Sequence, residues 1–421
     1  MAVPLLRSRA GCALHGALFT AAAIDGVTPL LHSTAGCGAQ AYQLGLSGAG
    51  CGARASAGPA TPSTNISEKH IVFGGTSRLR EQIKNSLSVL NSELTVVLSG
   101  CPAEMIGDDV AAMVQEARDQ GEAVLQIATA GFRGSAHRGY ELLLNGIIAE
   151  QIAHQPTLPG LVNILGIVPQ QDAFWLAEIE ELSRLLAGVG LRANPLFGAE
   201  GGVHGLQALA QAELSLVLSP WGLEPARELE RRFGTPWLEA GGLPVGAEAS
   251  LVLLRLICEI ASSADRAAAD GFLAAEARRE AYLLDVAAEP LYRRGGQLDF
   301  AVVAPSLHAP GLARYLTGTL GWTPRAVVVT DDPPAESRAA IEADIGGLRY
   351  TQDAGEIADV LRGSAAEIVF GSTLERGVAA ELGVPLVEVA FPTARPGLSR
   401  GVAGCRGGSA LLEDILQAVP A

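Results

Sequence analysis

Three cysteines and one serine of this 421-residue chain lie at glycine-rich turns, where their side chains could bind a metal. Cys37 and Cys101 directly follow apolar, strand-like segments, and Cys12 lies in RAGCALHGA. Ser135 ends the turn GFRGS, which follows the strand-like VLQIAT. Ligands of α/β sheets bind at the carboxyl ends of the strands, so these turns should converge. Thiolates flanked by glycine leave room for a bulky inorganic ligand and are typical of iron–sulfur sites.

Two other interpretations of the thiols stay open on the residues alone. A free cysteine is most often a small core residue, and each of the three, taken singly, fits that description. A catalytic thiol would need a paired base, but His32, the nearest candidate, cannot serve all three. No CxxC pair occurs, which argues against a zinc ribbon. Cys258 and Cys405 are expected in the core, and Cys51 has no assigned role.

Five polar residues near these turns have an ambiguous role. Ser135 could be a metal ligand or could cap the helix that follows, and the sequence favours neither. Asp108 and Asp109 are predicted to cap a helix that runs from Asp108 to Ala117, because the helix dipole favours negative charge there. Arg133 and His137 could donate hydrogen bonds to a cluster or to a docking partner, or could lie in a solvated turn.

Alternating strand-like and helical segments predict an α/β fold with parallel sheets and right-handed crossovers. Two mainly helical stretches, near 138–155 and 247–294, divide these alternating segments into three groups. The sequence therefore predicts three doubly wound, Rossmann-like domains, with the ligand turns in the first. Their bounds are 1–157, 158–296 and 297–421.

Charge and hydropathy exclude several classes of function. The net charge of −15, without a basic stripe, argues against a nucleic-acid or anionic-membrane partner. The most apolar helical stretch, 247–261, carries three charged residues and predicts a buried helix, not a membrane span. With no convincing signal peptide, we expect a cytoplasmic protein. The two later domains show no P-loop and no GxGxxG motif, so nucleotide binding is unsupported.

Four motifs together resemble the nitrogenase component 1 family. Cys12 and Cys37 are separated by 24 residues. STNISEKHIVFGG covers 63–75, CPAEMIGDD covers 101–109, and GFRGS covers 131–135. The resemblance continues to VPLVEVAFP near the carboxyl end. It implies a nitrogenase-like fold of three parallel α/β domains in an α2β2 assembly.

Within that family the chain resembles the β-type subunits. Their three cysteines and a serine hold half of an interfacial [8Fe-7S] P-cluster shared with the α subunit, and these positions match Cys12, Cys37, Cys101 and Ser135. The α-type chains carry a further cysteine that binds the catalytic cofactor, but the matching segment here, 214–237, has none. The resemblance implies two partners, an α-type subunit and an ATP-dependent homodimeric iron–sulfur reductase. Electrons from the reductase would pass through the cluster to the cofactor in α.

Two features of the sequence indicate a particular branch of the family. The long amino-terminal arm of molybdenum-nitrogenase β chains is missing, yet the set of ligand residues is complete. This combination most resembles the methylthio-alkane reductases, which cleave C–S bonds of small thioethers. An iron-only or other alternative nitrogenase is the second interpretation. A scaffold for cofactor assembly is the third, although such β-type chains usually lack most of these cysteines.

Overall fold

The computed structural model describes residues 9, 11–47, 61–194, 196–342, 345–395 and 397–419. Cys51 lies outside the described residues. The described strands form three sheets in which all neighbours pair in parallel, and this confirms the predicted α/β class. Within these ranges, no helix has both the length and the hydrophobicity of a membrane span.

The amino-terminal sheet has its switch point between its first two strands. Its order is β1 (Val27–His32), β2 (Leu94–Ser99), β3 (Val124–Ala128). Residues 61–66 run parallel to the end of β1 on its other side, where the Leu31 amide donates to Pro62 O at 2.8 Å. The chain thus leaves β1 towards one edge and β2 towards the other, which is where ligands bind in such sheets.

Seven helices accompany this sheet in the described residues. They are α1 (Ala13–Ala22), α2 (Ala35–Ser47), α3 (Glu68–Phe73), α4 (Thr76–Val89), α5 (Cys101–Ile106), α6 (Val110–Asp119) and α7 (Ala136–Glu150). The register pairs His32 with Ser99 and Ser99 with Ala128, so the three strands end at the same level. The turns that follow them are therefore neighbours.

The middle sheet has the order β5-β4-β6-β7. Its strands are β4 (Leu158–Leu165), β5 (Arg192–Ala193), β6 (Ala212–Val217) and β7 (Trp237–Glu239). The accompanying helices are α8 (Trp175–Gly188), α9 (Val203–Ala208), α10 (Leu223–Phe233), α11 (Gly246–Ile260) and α12 (Arg266–Arg293). The two central strands, β4 and β6, are buried over most of their length, as is typical of parallel strands.

The carboxyl-terminal sheet has the doubly wound order β10-β9-β8-β11-β12. Its strands are β8 (Asp299–Ala304), β9 (Thr323–Val329), β10 (Leu348–Tyr350), β11 (Ile368–Gly371) and β12 (Leu386–Glu388). Its helices are α13 (Ala309–Arg314), α14 (Ala335–Glu342), α15 (Ala354–Ser364), α16 (Arg376–Leu382) and α17 (Gly404–Ala418). The last helix, α17, packs back against α8, α11 and α12 of the middle part.

The carboxyl ends of the middle and carboxyl-terminal sheets meet at a buried cluster of charges. His308 Nε2 lies 2.8 Å from Glu178 Oε1, and all three side chains of His308, Glu178 and Asp172 are almost completely buried. Burial would lower the pKa of His308, but Glu178 and Asp172 outweigh it and raise this pKa to about 9. The imidazole is therefore charged at neutral pH and joins the two sheets as an ion pair.

Helices α1 and α7 touch backbone to backbone at two glycines. A β-carbon on Gly16 would lie 1.8 Å from Ala136 O, and one on Gly139 would lie 2.1 Å from Ala13 O. No larger residue fits without separating the helices. Because Cys12 precedes α1 and Ser135 precedes α7, this contact sets the distance between two of the predicted ligand residues.

Replacing Gly139 by alanine should therefore destabilise the protein, by about 3 kcal/mol, because the added methyl group overpacks the contact. Gly271→Ala is the matched control, since Gly271 lies inside α12 with no atom within 4 Å of its added β-carbon. The control should stabilise by about 0.5–1 kcal/mol through helix propensity. Thermal unfolding followed by circular dichroism measures both, and a higher melting temperature for Gly139→Ala would contradict the contact.

Candidate metal centre

Each of the four predicted ligand residues lies at the start of a helix. Cys12 precedes α1, Cys37 lies in the first turn of α2, Cys101 is the first residue of α5, and Ser135 precedes α7. The first backbone N–H groups of a helix lack intrahelical acceptors, and the helix dipole favours negative charge there. All four positions therefore favour an anionic side chain.

The thiols of Cys12 and Cys101 face the same glycine. The Gly131 amide donates to Cys101 Sγ at 3.0 Å. A β-carbon on Gly131 would lie 3.2 Å from Cys101 Sγ and 3.5 Å from Cys12 Sγ. The absence of a side chain at this position keeps the space between the two sulfur atoms open.

Ser135 lies beside Cys12, and its hydroxyl lacks a partner. The two residues form an antiparallel bridge, in which the Ala13 amide donates to Gly134 O at 2.9 Å. Ser135 Oγ is buried without a hydrogen-bond partner in the described ranges and makes no capping bond to α7. The interpretation of Ser135 as a helix cap is therefore wrong. Such an orphaned hydroxyl costs about 1–3 kcal/mol, which contact with a bound group would remove.

His15 connects the Cys12 turn to the Cys37 turn. Its Nδ1 lies 3.4 Å from Cys12 Sγ, and its Nε2 lies 3.2 Å from Cys37 O. The Ser33 hydroxyl donates to Cys37 Sγ at 3.2 Å. Sequence reasoning selects His32 as the histidine nearest the thiols, although His15, three residues after Cys12 at a helix start, shares its face. The three-residue spacing of Cys12 and His15 is the sequence signal that could have identified this histidine.

Burial raises the pKa of the Cys12 thiol, but the hydrogen bond and charge of His15 outweigh it and leave the pKa below its ordinary 9.0. Cys258 and Cys405 behave differently. Both are buried, as expected for core residues, and burial raises the pKa of each, that of Cys405 to about 12. Of these three thiols, Cys12 is the one whose surroundings favour the thiolate, which is the form that binds metals.

Asp108 and Asp109 have different partners. Asp109 caps α6 by accepting from the Ala112 amide at 3.0 Å, and the helix begins at Val110 rather than Asp108. The expectation that Asp108 also caps this helix is wrong. Its carboxylate instead accepts from the Gly75 amide at 2.8 Å and lies 3.0 Å from His32 Nε2. His32 therefore faces a carboxylate rather than a thiol.

Glu104 holds the Gly131–Arg133 turn against α5. It accepts from the Ala130 amide at 2.9 Å and from Arg133 Nε at 2.7 Å. Arg133 is thus paired with a carboxylate. His137 is buried, not solvated, and its ring packs on Trp221 with centroids 5.8 Å apart.

The donor set fits a cluster rather than a single ion. No three His, Cys, Asp or Glu side chains converge on one ion within the part of the chain that is described. Cys12 and Ser135 instead border a cleft of about 440 Å³, together with Gly131, Trp221 and Asp332. Of the three predicted cysteine ligands, Cys12 lines this cleft. Soft thiolates suit an iron–sulfur cluster, whose several irons take separate ligands.

Large apolar side chains are exposed on the segments that carry the ligand turns. The exposed fraction is 82% for Phe73, 73% for Val72, 77% for Met105 and 64% for Phe132. Phe73 ends α3, Met105 belongs to α5, and Phe132 lies in the turn that binds Cys101. Exposed apolar groups at one site are typical of a protein–protein interface.

Comparison with known proteins supplies the family. The model of nitrogenase component 1 type oxidoreductases matches residues 12–419. The chain is 26% identical to the nitrogenase molybdenum-iron protein beta chain of Methanothermobacter thermautotrophicus, with 97% of this chain and 93% of that protein covered. It is 27% identical to the nitrogenase iron-molybdenum cofactor biosynthesis protein NifE of Klebsiella pneumoniae, with 74% and 70% covered.

Two further matches cover different fractions of this chain. The similarity to the nitrogenase molybdenum-iron protein alpha chain of Methanosarcina barkeri, at 26% identity, covers 47% of this chain and spans only 37% of that relative's length. A solved structure of nitrogenase Cp1 at pH 6.5 superposes with a TM-score of 0.82 at 19% identity, with 100% of this chain and 94% of that chain covered. The superposition shows the same fold.

Alkylation of the iron-free chain tests the environment of Cys12. Because its pKa is lowered, Cys12 should react with iodoacetamide at a lower pH than Cys258 or Cys405, which serve as internal controls. His15→Leu should shift the pH profile of Cys12 upwards, since it removes the group that stabilises the thiolate. Mass spectrometry of the labelled peptides over a pH series measures this. An unchanged profile in the variant would show that His15 does not control the thiol.

Proposed function

The chain belongs to the nitrogenase component 1 type oxidoreductase family, and on that premise we propose that it is a β-type, electron-relaying subunit of a nitrogenase-like reductase. The observation that carries the proposal is the arrangement around Gly131. Two thiols face this glycine, and beside them lies a buried serine hydroxyl without a partner in the described structure.

We assign Cys12, Cys37, Cys101 and Ser135 as ligands of a P-cluster-type [8Fe-7S] centre shared with an α-type chain. When bound, such a centre accepts and releases single electrons. The chain's own groups would adjust its potential. The Gly131 amide and the Ser33 hydroxyl each donate to a ligand sulfur, and such bonds favour the reduced cluster. A Ser135 alkoxide is a hard ligand and would favour oxidised iron.

The middle part supports the β-type assignment. The turn after β6 carries Ser219, Pro220 and Trp221 and offers no thiol for a catalytic cofactor. The Ser219 hydroxyl donates to Gly166 O at 2.5 Å, and Trp221 Nε1 donates to Asp331 at 2.7 Å. Both side chains are thus engaged within the chain. The cofactor at which substrate is reduced would belong to the α-type partner.

Two partners fit the exposed apolar groups around the ligand turns. An α-type subunit would cover Phe73 and Met105 and would supply the remaining ligands of the cluster. An ATP-dependent homodimeric iron–sulfur reductase would dock near Phe132 and deliver electrons one at a time. Apolar side chains that are 64–82% exposed beside the proposed site favour a permanent contact with the α-type subunit and a transient contact with the reductase.

A second candidate function is supported by the similarity to NifE, which is a cofactor biosynthesis protein. A scaffold would hold a cluster precursor and release it, and it would not need a fixed relay. The complete set of thiols with an unpartnered Ser135 favours the relay. Release of the bound iron to an acceptor protein, without substrate reduction, would favour the scaffold.

For the substrate we propose a small thioether, with the complex acting as a methylthio-alkane reductase. The support is the resemblance of the chain, with its full set of ligand residues, to that branch of the family. An iron-only or other alternative nitrogenase is the competing assignment, because the relay residues would be the same for either reaction.

Removal of one ligand tests the cluster assignment. Cys101→Ala should lose most of the iron of the anaerobically purified complex, because Cys101 Sγ faces Gly131 beside Cys12 and is one of the proposed ligands. Cys258→Ala is the matched control, and it should keep the iron at a cost of about 1 kcal/mol in stability. Ser135→Ala should keep the iron but alter the EPR signal of the oxidised complex. Full iron and unchanged EPR signals in Cys101→Ala would remove this cysteine from the ligand set.

An activity assay tests the substrate. The complex, with its reductase and ATP, should release methanethiol and a hydrocarbon from dimethyl sulfide, since reductive cleavage of the C–S bond yields a thiol and an alkane. A parallel reaction under dinitrogen should yield little ammonia. Gas chromatography and an ammonia assay measure the two products. Ammonia as the main product would assign the complex as a nitrogenase instead.

A further inference from the structure

The carboxylate of Asp108 is engaged at the start of α4, where Gly75 precedes the helix and Thr76 is its first residue, and not at the start of α6. It accepts from the Gly75 amide at 2.8 Å and from the Thr76 hydroxyl at 3.3 Å, and it lies 3.0 Å from His32 Nε2. The side chain of Asp108 is 3% exposed and that of His32 is completely buried. Three segments far apart in the sequence therefore meet at one carboxylate.

His32 presents both of its ring nitrogens to partners. Burial lowers the pKa of His32, and Asp108 offsets this only in part, so the ring is neutral at neutral pH. Nε2–H then donates to Asp108, and Nδ1 accepts from the Thr64 hydroxyl, which lies at 3.1 Å. The two bonds fix the orientation of the ring at the end of β1.

The backbone around His32 reaches both neighbouring ligand turns. His32 O accepts from the amide of Gly100, the residue before Cys101, at 3.0 Å. The next residue, Ser33, donates its hydroxyl to Cys37 Sγ at 3.2 Å. A shift of His32 would therefore move the Cys37 turn and the Cys101 turn relative to each other.

The packing around Asp108 and His32 is tight. A β-carbon on Gly75 would lie 2.5 Å from Asp108 Oδ2 and 3.2 Å from His32 Cε1. One on Gly100 would lie 2.2 Å from Ser33 Oγ. The two glycines allow the three segments to approach until the hydrogen bonds form.

The geometry points to Asp108 as a positioning residue for the cluster: through His32, it fixes the Cys37 and Cys101 turns at the separation that the cluster requires. This inference rests on the proposed function, because it takes Cys37 and Cys101 as ligands. Asp108 itself is not one of the proposed ligands. Residues that orient metal ligands commonly change metal affinity by roughly 10–100-fold when they are removed.

Three variants of the anaerobically purified complex test the role. Asp108→Ala leaves the Gly75 amide and His32 Nε2–H without their acceptor. Asp108→Asn is the conservative change, because its oxygen can accept from Gly75 while His32 shifts its proton to Nδ1 and accepts from the new amide. Asp109→Ala is the matched control, an adjacent carboxylate that caps α6 by accepting from the Ala112 amide.

Each variant is characterised by four measurements: iron content, the EPR spectrum, the midpoint potential from a redox titration, and the melting temperature. We expect Asp108→Ala to lose iron and to change the spectrum and potential of what remains. Asp108→Asn should recover most of the iron. Asp109→Ala should lower the melting temperature yet keep the wild-type spectrum and potential, since a cap affects folding alone.

The outcomes separate this inference from the proposal on which it rests. Wild-type complex without a cluster would overturn the proposed function. A loaded wild type with an unchanged spectrum, potential and iron content in Asp108→Ala would overturn only the role of Asp108. Equal losses in Asp108→Ala and Asp109→Ala would also overturn it, because they would reflect general destabilisation.

Discussion

The candidate metal centre depends first on the contact between α1 and α7. The two helices touch through Gly16 and Gly139, and the residues that precede them, Cys12 and Ser135, form a bridge of their own. Nearly all of α1 is buried, so it cannot shift without disturbing the core around it. Rigid packing far from the thiols thus decides where one thiol and one hydroxyl lie. A site built on such elements is more exactly placed than one built on free loops.

A second constraint is carried by acidic side chains after Cys101. Glu104 holds the turn that contains Gly131, and Asp108 holds the end of β1. The segment that supplies one thiol therefore also orients its neighbours. Because buried carboxylates are costly unless they are fully paired, each is stabilised only while its donors stay in place.

Sequence reasoning predicted that the cysteine and serine turns lie together because a strand followed by glycine is a local signal, and parallel register brings strand ends together. The structure places Cys12 and Cys101 beside Gly131, and Ser135 beside Cys12. It failed where a contact joins distant segments. Gly75 and Asp108 are 33 residues apart, and His15 reaches Cys37 across 22 residues. A paired Asp-Asp reads as a helix start, and only tertiary packing shows that one of the two faces inwards. The Ser135 hydroxyl was ambiguous for the same reason, since its lack of a partner is a property of the fold.

The carboxyl ends of the three sheets also bear on where the candidate site lies. Their carboxyl ends meet at the centre of the molecule, the usual place for a ligand in α/β proteins. Here that place is filled by Trp221, His137 and the ion pair of His308 with Glu178, all of them buried. Charges paired in this way bind one another rather than a cofactor. Cys12 and Ser135 border the adjoining cleft, which Trp221 and Asp332 also line. Under the proposed function the chain would pass electrons on, and the reaction that uses them would belong to the neighbouring subunit.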